Sequence, residues 1–505
     1  MRLMSVLALV VVFSFPASSA FADRGDWATD QANYGTRVDD GDQANHGHRE
    51  DYGDLLFILT NDYEFTAGNC ATMEMGSPWA VDENLAPLCA DAVAREYLDL
   101  VYVVGRAGCD HIQVLDPQQG FSTLLQFSTG AGSNPQDICF VSPTRAFVTR
   151  YDRAELWEVD PSTGEHTDSI DLSPLTDADG LPEMMGMAIA GNRLYVGLQR
   201  LDRDYYWTPV APGYLAVIDL ATNTLVDMEP GQQGVQGFAL AATNPSMLFA
   251  EDPLTGHILI GETGSYGILD GGIEIFDPST EQSLGFAITE AELGGELNQW
   301  TSVDMRLGFA ITLSSSWATA VVAFDLDAGT TLGTVISSNE YAYTHLATDP
   351  SYGELYVADA SYVESGVRVF DTATLQPLGG LIPVGLYPRA LLPLHGPASG
   401  VDGHDPADPG DLAPDAFELT AWPQPALGPV LLKFRSPDRW AAGAQILDAA
   451  GREVFRWRGP FGPGPDHEFR WSGRDQAGRP VASGTYFFRV YGEGQMASKR
   501  FQLLR

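Results

Sequence analysis

Short β-rich runs separated by Gly, Pro, Asn and Asp fill the chain from residue 55 to residue 394, and one phrase punctuates them. It reads VLD (114–116), EVD (158–160), VID (217–219), IFD (275–277), AFD (323–325) and VFD (369–371). Each copy closes on an acid: Asp116, Asp160, Asp219, Asp277, Asp325 and Asp371. The spacings are 44, 59, 58, 48 and 46 residues. Behind each Asp comes a turn such as PQQG, PSTG, LATN or PSTE, and then another β-rich run. A period of this size, with about four strands per unit, predicts a β-propeller in which each unit is one blade.

Runs such as Leu100–Val104, Ala146–Thr149, Leu194–Gly197 and Glu354–Ala358 precede the Asp-closed strand and are expected to be second strands. Innermost strands are expected near 90–96, 136–142, 185–191, 236–242, 299–305, 343–348 and 388–394, which predicts seven blades. LLFILT (55–60) and Cys70–Met75 look like outer strands without an inner partner, and Arg389–Leu394 like the converse. The two ends of the region are therefore expected to build one blade together, closing the ring and leaving no open sheet edge. Residues 395–416 are Pro, Gly and Asp without a hydrophobic pattern, hence a linker. Residues 417–505 return to short alternating runs, six or seven strands in one small domain, the pattern of an Ig-like sandwich.

Two resemblances sharpen this reading. LYVGLQ (194–199) and ELYVADAS (354–361) resemble the YVTN/NHL-type propellers of secreted bacterial proteins, across most of residues 55–394. WSGRDQAGRPVASGTYFFRVYGEG (471–494) and the closing KRFQLLR (499–505) resemble the flagellar-hook-capping-type Ig-like domain. Similar domains end proteins exported by the type IX route, which implies a sorting or anchoring module and a partner in cell-surface anchoring machinery. The expected fold class is all-β: a seven-bladed β-propeller plus a C-terminal Ig-like β-sandwich. Propellers host lyases, lactonases, dehydrogenases and pure binders, so this resemblance names no activity.

Charge and targeting narrow the partners. The 505 residues carry a formal net charge of −39, and the acidity is concentrated before residue 417. Such a surface repels nucleic acid and anionic membranes and favours solubility. Arg2, the apolar run 5–15 and Ala20-Phe21-Ala22 read as an export signal over residues 1–22, too short to span a membrane stably. Residues 23–54 are polar and Gly/Asp-rich and are expected to be a disordered acidic leader. An exported protein is expected outside the cell or on its surface, where Cys70, Cys89, Cys109 and Cys139 favour disulfides over metal ligation. The blade geometry suggests Cys70–Cys89 and Cys109–Cys139, although four cysteines allow three pairings.

Candidate chemistry falls in the loops that open on one face: those entering the inner strands and those joining second to third strands. Arg106, Arg150 and Arg200 each follow a second strand in successive blades and could converge on a carboxylate or sulfate; internal pairing with Asp110, Asp137, Asp152 or Asp202 is the alternative. Tyr205, Tyr206 and Trp207 form an aromatic run on the longest loop, suited to stacking on a sugar or peptide or to packing over the blade edge. Asn134 and Asp137 stand in a connection leading into an inner strand. Asp177 and Asp179, in an Asp-x-Asp-Gly turn, and nearby Glu183 offer carboxylates to calcium; a solvated turn is the alternative. No Gly-x-Ser-x-Gly, His-Glu-x-x-His or Walker loop occurs. The reading that follows is an exported, surface-associated binding protein for a protein, glycan or small anion. A metal-dependent hydrolase or lyase, lactonase-like, with its site in the channel is the alternative.

Overall fold

The computed structural model describes residues 53–395, except 253–254, 304–305 and 350–351, together with the strands and some connections of a C-terminal unit between 418 and 503. The expected export signal, most of the leader and nearly all of the linker lie outside the described residues. The chain is all-β with a propeller-like course. Among the described residues no helix is long and apolar enough to cross a membrane.

The recurring Asp has a local cause. In every copy its carboxylate accepts a main-chain N–H two or three residues on: Gln118 to Asp116 (2.8 Å), Ser162 to Asp160 (2.9 Å), Ala221 to Asp219 (3.0 Å), Ser279 to Asp277 (2.9 Å), Ala328 to Asp325 (2.9 Å) and Thr374 to Asp371 (2.6 Å). An Asp that bonds its own backbone in this way turns the chain at the end of a strand. The phrase is thus an apolar strand end plus its turn.

Between residues 53 and 395 the described strands form seven antiparallel sheets and one two-stranded ribbon. Five of the sheets advance simply from first strand to last, as in Ala92–Tyr97, Leu100–Gly105, His111–Asp116 and Ser122–Ser128. Apart from the sheet shared by both ends, which enters through Tyr387–Leu394, the first strand of each sheet packs beside that of the next or beside its neighbour, around a closed circuit. The circuit is closed by one sheet made from both ends of the region. There Leu55–Asn61 pairs with Gly68–Glu74 on one side and with Tyr387–Leu394 on the other. The run Leu55–Leu59 is apolar throughout because both of its faces are covered. Leu56 and Ile58 pack with Tyr356, Val367 and Val369, while Phe57 and Leu59 pack with Val101, Val103 and Leu115. Each large side chain so buried contributes roughly 1.5–3 kcal/mol, so this strand is a main fastening of the circuit.

Two expectations need correction. Residues 236–242 are not an inner strand: Phe238–Ala239 joins the outer edge of Tyr214–Asp219, and the inner strand is Pro245–Glu251. Gly213 and Gly237 let these backbones approach closely. The disulfide is Cys89–Cys109, with Cys70 and Cys139 as free thiols. The hairpin dictates this pairing. Ala92 lies opposite Gly105, so Cys89 before one strand and Cys109 after the other meet with a Cα separation of 6.3 Å. Cys70 and Cys139 sit within packed sheets, and burial pushes the pKa of both thiols up to about 12. The bridge fits an oxidising compartment.

The C-terminal unit has a three-stranded sheet (Glu418–Trp422, Val430–Ser436, Gly464–Trp471) and a four-stranded one (Ala441–Asp448, Glu453–Phe461, Gly484–Gly492, Gln495–Leu503). Leu432, Phe434 and Trp471 from the first share one core with Ile446, Phe488 and Phe501 from the second.

Candidate binding site at the channel mouth

Inner strands of sheets around a ring place their first residues at one end of the central channel. There they meet the turns that follow the second strands, as the Ala92–Gly105 register requires. A cavity of about 620 Å³ opens at this end. It is lined by apolar residues such as Leu59, Val93, Met247 and Leu392, by the charged Glu64, Asp91, Arg95, Arg106 and Arg389, and by the polar Asn298, Tyr341 and Thr344.

Three rim residues share a backbone origin. Leu59 pairs with Ala390 and Thr60 with Pro388, which leaves Arg389 unopposed in the ladder. Asn298 is skipped in the same way between Leu297 and Gln299, and Thr344 between Tyr343 and His345. A bulge of one residue re-aims a side chain that alternation would send elsewhere. Here three bulges at the entrances of three inner strands supply three lining residues.

Arg389 is the distinctive group. Its Nε donates to Asn61 Oδ1 at 2.7 Å, and its guanidinium lies 4.3 Å from the Phe65 ring centroid. No carboxylate among the described residues is within ion-pair distance of it. Burial pulls its pKa down, against the opposing influence of Tyr341 and Asp91 acting through space. Asp91 is already paired with Arg106. Arg95 is paired as well, its Nε bonding Asp137 Oδ1 at 2.9 Å while Asp137 Oδ2 also accepts Met187 N–H at 3.1 Å; Glu64 is a further, exposed carboxylate of the lining. Burial raises the Asp137 pKa against the pull of Arg95. His345 accepts Leu391 N–H at Nδ1 (3.3 Å), and burial, helped by Arg95, brings its pKa down to about 4, so it is neutral at pH 7.

The residues singled out in the sequence are distributed differently. Arg106 lines the cavity but is held by Asp91 and by Gln136 Oε1 (3.2 Å). Arg150 turns inward to Thr129 O (3.0 Å), Glu155 (3.4 Å) and the Trp157 ring, and Arg200 donates to Pro212 O (2.8 Å) over Tyr214. The three arginines therefore do not converge. Asn134 is buried as a turn organiser, its Oδ1 accepting Ala107 N–H and Gln136 Nε2–H. Tyr205 and Tyr206 are exposed away from the cavity lining, and Trp207 packs under Arg203.

Asp177, Asp179 and Glu183 do come together, with one oxygen of each within 4.8 Å of the others. The cation among them is Arg203, whose Nε lies 2.7 Å from Glu183 and 3.8 Å from Asp179, while its Nη1 reaches Asp152 at 2.7 Å. Burial pushes Glu183 up to about 8 despite this partner. No spacing rule in the sequence points to this guanidinium, because only the fold brings residue 203 back over residue 183.

No family model matches the chain, and no curated protein matches it. Among solved structures it is similar to PorZ, a bacterial surface component of the type-IX secretion system of Porphyromonas gingivalis, at 14% identity and TM-score 0.41; 86% of this chain is covered, and it spans 63% of that one. A putative 6-phosphogluconolactonase from Bacteroides fragilis matches at 13% identity and TM-score 0.48, over 70% of this chain and 100% of that one. A protein from Lactobacillus plantarum matches at 13% identity and TM-score 0.49, over 68% and 100%. These likenesses assign no activity or ligand to the chain.

Proposed function

We propose that the chain is an exported, surface-associated binding protein: a seven-bladed β-propeller that holds an anionic ligand in its channel mouth, followed by an Ig-like module for sorting or attachment. The observation that carries the reading is Arg389, a cation with no carboxylate within ion-pair distance among the described residues, in the lining of a largely apolar cavity of a chain of net charge −39. In so acidic a protein an unpaired guanidinium beside a cavity is a site for an anion from outside. The ligand supplies the missing charge and places its apolar part against Val93, Met247 and Leu392.

The metal-dependent alternative requires at least three ligands converging in the channel. Among the described residues three come together only at Asp177, Asp179 and Glu183, which Arg203 bridges. Calorimetric titration with benzoate, and with benzamide as the uncharged control, tests the binding reading. Benzoate is expected to bind and benzamide not. Arg389→Gln is expected to lower benzoate affinity at least about tenfold, the weight of one charge-assisted contact. Equal binding of both probes, or an Arg389→Gln variant indistinguishable from the parent, would remove the site.

A further inference from the structure

Beside Arg389 the rim carries a cluster of exposed rings. Tyr63 and Tyr362 are 62% and 68% exposed, and their ring centroids lie 5.2 Å apart at 71°. Tyr387 stands 5.9 Å from Tyr63. The three come from the closing sheet and the sheet before it: Tyr63 from the turn after Leu55–Asn61, Tyr362 from the turn after Glu354–Asp359, and Tyr387 from the start of the last inner strand. The turn that carries Tyr63 also carries Phe65, on whose ring the Arg389 guanidinium rests. Cation and aromatic platform are thus one continuous surface, and Tyr63 itself lines the cavity.

We propose that this surface binds an acidic glycan, a chain of uronic-acid-type sugars, with one carboxylate on Arg389 and the adjoining sugar stacked on Tyr63 and Tyr362. The inference rests on the anion-binding reading above and names its ligand class. A sugar ring offers an apolar C–H face to an aromatic face and hydroxyls at its edge. The lining answers both, with tyrosine rings for the face and Asn298 and Thr344 for the hydroxyls. A uronate adds the counter-charge that Arg389 lacks among the described residues. An extended peptide is held along a strand edge or in an apolar groove, whereas this mouth is built from strand entrances and tight turns.

The test is calorimetric titration of the full chain with trigalacturonate and trimannuronate, with galacturonate monomer, with neutral maltotriose, and with an acidic tripeptide. Parent, Arg389→Gln and Tyr362→Ala are compared; Tyr362 is a surface side chain, and an unchanged melting temperature certifies each variant's fold. At least one acidic trisaccharide is expected to bind about fivefold or more tighter than the monomer, the weight of stacking one additional ring. Tyr362→Ala is expected to erase that advantage while leaving monomer binding intact, and Arg389→Gln to weaken both. If monomer and trisaccharides bind alike and Tyr362→Ala is silent, the glycan inference fails while the anion site stands. If the tripeptide binds tighter than either acidic trisaccharide through Tyr362, the ligand is a peptide and the inference is overturned. If benzoate and every sugar acid fail to bind, both readings fall together.

Discussion

Glu262 and Glu274 show what a single buried carboxyl can impose. Both are fully buried, on Ile258–Glu262 and Gly272–Asp277; Ala242 N–H donates to the first at 2.6 Å and Ala241 N–H to the second at 2.9 Å. Among the described residues one oxygen of each has no donor, and Glu274 bears on Glu262. Burial first, and Glu274 second, hold Glu262 protonated well above the usual carboxylate range. Burial likewise pushes Glu183 up to about 8 and Glu290 up to about 7. The turn acids go the other way: hydrogen bonds from Ser162, Ser279 and Thr374 lower Asp160, Asp277 and Asp371, with Asp277 at about 2. The signs follow from linkage. Groups raised by folding contribute fully below the ordinary Glu value of about 4.3, and that contribution is lost as pH rises through 7 and 8. Groups lowered by folding contribute above the ordinary Asp value of about 3.9, and that contribution is lost as pH falls toward 2. Thermal unfolding between pH 3 and 9 is therefore expected to give a melting temperature highest near pH 4–5 and falling toward pH 9, with the fall reduced in Glu262→Gln. A melting temperature that climbs steadily from pH 5 to pH 9 would contradict this assignment.

Among the elements, the hairpin Ala92–Tyr97/Leu100–Gly105 carries the most consequence, because its disulfide fixes the turn that presents Arg106. The bridge closes a loop with a sequence separation of 20. Cys89→Ser with Cys109→Ser is expected to cost about 3 kcal/mol in denaturant unfolding. Mass spectrometry of the alkylated, unreduced protein should find Cys70 and Cys139 labelled after unfolding and Cys89 and Cys109 unlabelled. The Asp-closed strands and the shared first sheet were legible from the sequence, because period, turn chemistry and an unbroken apolar run each have one structural meaning. The pairing of cysteines was not, since it depends on which strand ends meet. The inner strand at Pro245–Glu251 was missed because its opening Pro reads as a turn, although Pro is tolerated at a strand's first residue. Arg389 stood at the head of an expected inner strand, yet nothing marked it for function. A bulge inserts one residue and breaks the period of two, so side-chain direction beyond it cannot be counted from the sequence.

For the molecule as a whole, closing the circuit and making the mouth are the same event. The segments that fasten the ring, Leu55–Asn61 and Tyr387–Leu394, bring with them Asn61, Tyr63, Phe65, Tyr387 and Arg389. The rim is complete only when both ends of the region have paired. Charge acts at the same scale: an overall −39 keeps the surface solvated and repels stray anions at a distance, so an anion must be captured by local geometry rather than steered from afar. The most direct test is a crystal structure of the protein soaked in 4-iodobenzoate, with iodine located by anomalous scattering. The expected result is iodine inside the 620 Å³ cavity with the carboxylate on the Arg389 guanidinium. Iodine bound only elsewhere, at Arg150, Arg200 or the Tyr205 loop, with the mouth vacant, would contradict the account.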